Sequence, residues 1–406
     1  MSFQQGLSGL NVAAKSLDAI GNNIANASTV GYKSARAEFA DVYAASLAGG
    51  GGIQVGIGAQ VAAIKQQFTQ GNIVTTSNPL DVAINGGGFY RLTTGGTVSF
   101  ARNGQFSLDR DGYIVANSGA RLTGYPANAL GQIVASTPID LQVSLANVAP
   151  QATSLADIGL NLDSRETVPG APFNIADPAT YNSSTAMTVY DSQGNSQTLT
   201  MYFRKTAANT WSVYGAANGA LLNGGAPIST LNFNSAGVLP ATVTANVAIP
   251  LTNGAASPLA FPITFPVGEM TQFGVSFAVS GLSQDGFTTG RLAGFAIGSD
   301  GVVLGRYTNG QTRAQGQIVL ANFTNPQGMV ALGGNEWAET SESGPALVAT
   351  PGAGTLGTLQ SGALEEANVD LTEELVKMIT AQRVYQANAQ TIRTQDQVLQ
   401  TIVNLR

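Results

Sequence analysis

Residues 371–406 read LTEELVKMITAQRVYQANAQTIRTQDQVLQTIVNLR, a long run with sustained helical periodicity and neither Gly nor Pro. Stepping four then three residues from Leu371 picks out Leu371, Leu375, Met378, Gln382, Tyr385, Ala389, Ile392, Asp396, Leu399 and Val403, of which eight are apolar or aromatic. A stripe recurring about every 3.5 residues on an otherwise polar helix is the pattern of a coiled-coil seam, narrower than the face of a helix sunk in a globular core. Asp370 stands where a helix N-cap is expected, with Glu373 in capping-box position and Glu374 placing negative charge near the positive end of the dipole. The helix would be roughly 54 Å long.

Such a seam needs a partner helix, and the other terminus supplies a matching pattern. Phe3, Leu7, Leu10, Ala14, Leu17, Gly21 and Ile24 repeat the four-three step. An isolated helix pair buries little, so the seam is expected to be completed by other copies of the chain. Gln382 and Asp396 interrupt the stripe, and two explanations stand side by side: they set register and oligomeric state, or they face water.

The 406 residues suffice for two or three domains. Charged residues make up only 10% and Gly numbers 49, a composition of turns, strands and close packing. The net charge of −6 is not gathered into blocks, which argues against nucleic acid as a partner. With no Cys and no His, Ser-His and Cys-His nucleophiles, His-based metal sites and zinc–thiolate sites are excluded. No segment approaches the apolar length of a membrane span, and the N-terminus does not read as a secretory signal.

Gly21 to Ser28 should end the first helix, Lys33 to Ala48 has the spacing of a short helix, Gly49 to Gly52 is a flexible break, and Ile53 to Phe68 reads as a strand. Beyond Gly71, Asn-Gly and Asp-Gly pairs at Asn85, Asn103, Asp111, Asn218, Asn223, Asn253, Asp285, Asp300 and Asn309 punctuate short apolar runs, the pattern of antiparallel hairpins. Composition shifts near Ser144 to Pro150 and Gly281 to Gly290 mark off one β unit inserted in another. Asp109 to Gly112 begins like a calcium loop but lacks the remaining ligands and reads as a turn. The pairs Glu365-Glu366 and Glu373-Glu374 read as dipole compensation at a helix start. No catalytic, cofactor or metal residues emerge, and the chain is not expected to be an enzyme.

Several of these motifs together resemble one family. GNNIANASTVGYK at 21–33 is similar to the N-terminal signature of the bacterial flagellar rod and hook axial proteins, through Asn22, Asn23, Asn26, Gly31, Tyr32 and Lys33. QRVYQAN at 382–388, with Gln382, Arg383 and Tyr385, resembles their C-terminal one. PLDVAI at 79–84, FARNG at 100–104, DGY at 111–113 and GQIVLANF at 316–323 match internally. The length fits the hook members better than the shorter rod proteins.

The resemblance implies a multidomain α+β subunit of a curved, flexible extracellular tube acting as a universal joint in the flagellum. Its terminal coiled-coil helices, over 1–26 and 368–406, would form a stem. A connecting segment would span 27–70 and 355–367, with nested, mainly antiparallel inner and outer β domains over 71–145 plus 285–354 and 146–284. It implies self-assembly as a helical homopolymer between a distal rod protein and a hook–filament junction protein, under a hook cap protein, after passage through the flagellar export apparatus without a cleaved signal. The residues expected to carry assembly are Phe3, Leu7, Leu10, Ala14, Leu17, Ile24, Leu371, Leu375, Met378, Tyr385, Ala389, Ile392, Leu399 and Val403. A rod-type axial protein and an extracellular β-rich adhesin, binding through loops of 153–280, are the other readings.

Overall fold

The computed structural model describes residues 2–42, 56, 58–128 and 131–404, with the side chains of 2 and 402–404 outside the description. It is mainly β, with helix α1 over Ser2–Ala25 and helix α2 over Leu371–Asn404. Asp370 caps α2 as expected, its Oδ1 accepting from the backbone of Thr372 at 2.8 Å and of Glu373 at 3.2 Å. The capping box is replaced by an ion pair, since the Glu373 carboxylate meets Lys377 at 2.9 Å.

The segment after α1 is a strand where helical spacing was read. β1, Ala35–Val42, pairs antiparallel with β2, Gly58–Gln66, through a bulge between Glu38 and Phe39. A strand needs a partner for its backbone groups, and β1 and β2 satisfy each other's from Ala35↔Gln66 to Val42↔Gly58. Gly49 to Gly52 lies outside the described residues.

Chain packing separates two units. The first holds residues 1–145, 294–306 and 312–406. In its main sheet Arg121–Pro126, Phe89–Thr94, Thr97–Ala101, Glu336–Ala338 and Val330–Gly333 lie side by side in that order, so late sequence is woven into early sequence. Phe89, Phe100, Phe323 and Trp337 form its aromatic core, with edge-on ring pairs such as Phe100–Phe323 at 4.8 Å. Trp337 Nε1 donates to Gln66 Oε1, which fastens the end of β2 to this core. The return path is also paired: Thr358–Ser361 lies antiparallel to Val82–Asn85, and Ala363–Glu365 to Ile73–Thr75. Thr97–Ala101 and Phe106–Leu108 are separate strands, and between them Gly104, which has no Cβ, settles its backbone against Val82.

The second unit, 146–293 with 307–311, is a pair of five-stranded sheets packed on one core. Strand Ser196–Ala207 alternates buried and exposed residues, the period expected of a half-buried strand. The hairpin turn at Asn218-Gly219 has both residues at positive φ, 48° and 82°, as its sequence requires. Strand Ala156–Asp163 departs from the antiparallel expectation by pairing parallel with Leu259–Phe265 and Met270–Phe273. Trp211 is fully buried at the centre and donates through Nε1 to Gln272 Oε1 at 2.6 Å. Trp211→Ala should therefore lower the unfolding free energy of this unit by about 3–5 kcal/mol, seen as an earlier urea transition in circular dichroism. A loss below about 1 kcal/mol would mean that Trp211 is not central to this core.

Candidate assembly surface

The two helices pack antiparallel through small residues. A Cβ on Gly6 would stand 3.0 Å from Ile392 Cγ1, and one on Gly9 2.7 Å from the Asn388 side chain. Ala13, Ile20 and Asn23 continue the buried line on α1, and on α2 it runs through Glu374, Met378, Ala381, Asn388 and Ile392. The α1 line sits one residue before the expected stripe. Since one residue is about 100° of helix rotation, the large apolar side chains lie beside the contact between the two helices rather than in it.

Phe3 and Leu7 are accordingly 47% and 46% exposed, while Leu10, Ala14, Leu17 and Ile24 are half-buried. On α2 Leu371, Leu375, Tyr385 and Leu399 are exposed, and Met378, Ala389 and Ile392 half-buried. The Val403 side chain lies outside the description. The four-three count missed Val376, Ile379, Val384 and Val398, which are exposed as well. Gln382 and Arg383 are exposed, as is Asp396, which accepts from Gln400 at 3.0 Å.

The N-terminal signature residues have a different task. Asn23 is buried and fully used: its amide donates to Ala35 O at 2.9 Å and Glu374 Oε2 at 3.2 Å, and its Oδ1 accepts from the Tyr32 hydroxyl and the Ala35 N–H. Asn22 donates to the Tyr32 hydroxyl, and Asn26 donates back to Asn22. Gly31 has φ 71°, and a Cβ there would run into the backbone of Arg102 and Asn103. These contacts fix the turn between α1 and β1 and lock it to the first turn of α2.

Below that turn lies an ion cluster. Lys33 Nζ meets Glu365 Oε1 at 2.6 Å and Arg102 Nη1 meets Glu365 Oε2 at 3.0 Å, with all three side chains buried. Glu365 also accepts from the Gly71 N–H at 2.9 Å, Lys33 donates to Thr69 O, and Arg102 to Gly86 O. Glu365 is thus the carboxylate on which four chain segments converge. Sequence reading assigned it to dipole compensation, but it ends strand Ala363–Glu365 and the helix starts six residues later at Leu371. The basic partners in the matched motifs, Lys33 and Arg102, were the available signal.

Burial lowers the Lys33 pKa below the ordinary lysine value, with Glu365 opposing the shift and Arg102 adding to it. The unfolded chain, with lysine near ~10.4, then holds more protons than the folded one between the two values, so stability rises with pH across that window. In urea titrations the unsubstituted chain should gain on Lys33→Met as pH climbs toward ~10.4, and a flat or falling difference would contradict the assignment.

Asp109 to Gly112 is a turn, with Asp109 Oδ1 accepting from Asp111 N and Tyr113 N. Among the described residues there is no metal-binding cluster, and no helix is long and apolar enough to cross a membrane.

Comparison with known proteins places this geometry. The profile described as Flagella basal body rod protein matches residues 3–33, and the Flagellar hook protein FlgE/F/G D1 domain matches 83–156. The Flagellar basal body protein FlaE D2 domain matches 161–287, and the Flagellar basal body rod FlgEFG protein C-terminal matches 360–405. Over 100% of both chains, the sequence is 44% identical to flagellar hook protein FlgE of Salmonella typhimurium and 43% identical to that of Escherichia coli. The chain belongs to the flagellar hook protein family. That family is structural rather than enzymatic. A crystal structure of Helicobacter pylori flagellar hook protein FlgE2 shares the fold, with TM-score 0.53 at 14% identity, covering 72% of this chain and 100% of that one. The buried turn at Asn23, Gly31 and Lys33 falls inside the N-terminal match.

Proposed function

We propose that this hook-family chain polymerises head to tail into a curved tube outside the cell, with α1 and α2 as a coiled-coil stem at its inner wall. The observation that carries the reading is the exposure of Phe3, Leu7, Leu371, Leu375 and Leu399 on helices that already pack on each other. Full burial of such a side chain is worth roughly 1.5–3 kcal/mol and about half of it remains to be gained here, so a row of them repeated in every copy favours association. Copies related by an operation that does not close build a filament rather than a ring.

The connecting segment, 27–70 with 355–367, would carry torque from the stem to the inner β domain, 71–145 with 285–354, through the Glu365 cluster. The outer domain, 146–284, would contribute lateral contacts that slide as the tube bends. Isolated surface ion pairs hold little energy, which suits a contact that has to shift. Its neighbours would be a distal rod protein, a hook–filament junction protein, a hook cap protein and the flagellar export apparatus. Restoring this chain to cells lacking their own hook protein tests the reading: short curved tubes bearing filaments are expected, and secreted monomer with no tube would overturn it.

A further inference from the structure

A groove of about 560 Å³ opens between α1, β1 and α2, at the end of the helix pair where α2 begins. Its walls mix small and aliphatic side chains, such as Ala13, Val376 and Thr380, with the charged Arg36, Glu374 and Lys377. At the opposite end α2 outruns its partner. With Gly6 against Ile392, Gly9 against Asn388 and Asn23 against Glu374, Ser2 stands near residue 396. No described residue of α1 then lies beside residues 397–404, which project by roughly 12 Å.

We propose that the projecting end of α2 in one copy docks in the groove of the next copy along the tube. The inference rests on the polymer reading above and names its contact. Three features select this occupant. At the tip Val398 and Leu399 are about half exposed, Ile402 and Val403 follow in sequence, and no described residue of α1 covers them. The small groove side chains leave holes of the kind that receive aliphatic knobs. Residues 397–404 carry no charged side chain, so seating them brings no unpaired charge into a groove whose own Lys377 is already paired with Glu373 and Glu374 and whose Arg36 is paired with Glu38. Groove and tip lie at opposite ends of one rod, so the contact is head to tail and leaves each new copy with an open groove or tip. Stacked copies would be offset by about 30 Å.

The absence of cysteine makes the contact directly trappable. In the full-length chain carrying both Val376→Cys and Leu399→Cys, the two positions lie on one helix roughly 34 Å apart, too far for a disulfide within a copy. After polymerisation and mild oxidation, a non-reducing gel should show a covalent ladder several-fold stronger than from an Ile139→Cys, Leu399→Cys control. A second pair, Thr380→Cys with Val398→Cys, should give the same ladder. Tubes that form normally but yield no ladder above the control from either pair would overturn the docking while leaving the polymer reading intact. If the unsubstituted chain forms no tubes, the polymer reading falls and the docking falls with it.

Discussion

Glu365→Gln should destabilise the folded chain by about 3–5 kcal/mol, because it leaves the buried cations Lys33 and Arg102 facing a neutral amide. The comparison with Lys33→Met sharpens this. The cluster holds two cations and one anion, so removing Lys33 leaves a one-to-one pair between Arg102 and Glu365, whereas removing the carboxylate leaves two like charges buried together. The loss on Lys33→Met should therefore be the smaller, despite the hydrogen bond to Thr69 O that goes with it. Urea titrations of the two variants read the difference. Because Trp337 is bound to Gln66 near the cluster, its fluorescence should follow the same transition. Equal losses, or a larger one for Lys33→Met, would mean that the excess positive charge is neutralised in some other way.

Leu7→Asp and Leu399→Asp should each abolish polymerisation while leaving the monomer's thermal transition nearly unchanged. Both side chains are about half exposed in the chain by itself, and surface substitutions of that kind usually move stability by only ~0.5 kcal/mol. In an assembled seam the same positions would be buried, where an unpaired carboxylate costs several kcal/mol in every copy. Sedimentation would separate the cases. Normal tubes from either variant would remove that residue from the assembly seam, and a collapse of the monomer would make it an internal core residue.

The periodicity of α2 and the cap at Asp370 were legible because both are local: the stripe, the capping side chain and the absence of Gly and Pro act within a few residues of one another. The phase of α1 was not. Hydrophobic periodicity does not say which contact buries a side chain, and Phe3 and Leu7 stay about half exposed while glycines make the close approach to α2. Gly6, Gly9 and Ala13, which bring the helices together, add almost nothing to an apolar count. β1 was misread as helical for a related reason, whereas β2 lies inside the stretch read as a strand. The partner of β1 lies beyond a glycine-rich stretch of sequence, and the spacing of Phe39 and Val42 suits a helix as well as a bulged strand. Glu365 escaped because its partners are 332 and 263 residues away in sequence, a relation that no single stretch displays. The signature residues were visible as a pattern, but only the folded chain shows Asn23 joining α1, β1 and α2.

The most direct test of the account is electron cryomicroscopy of the purified full-length chain as its concentration is raised. The expected result is hollow, curved tubes with both terminal helices at the inner wall and the second unit outermost. Particles that stay monodisperse, or tubes whose inner wall is built from β strands, would contradict it.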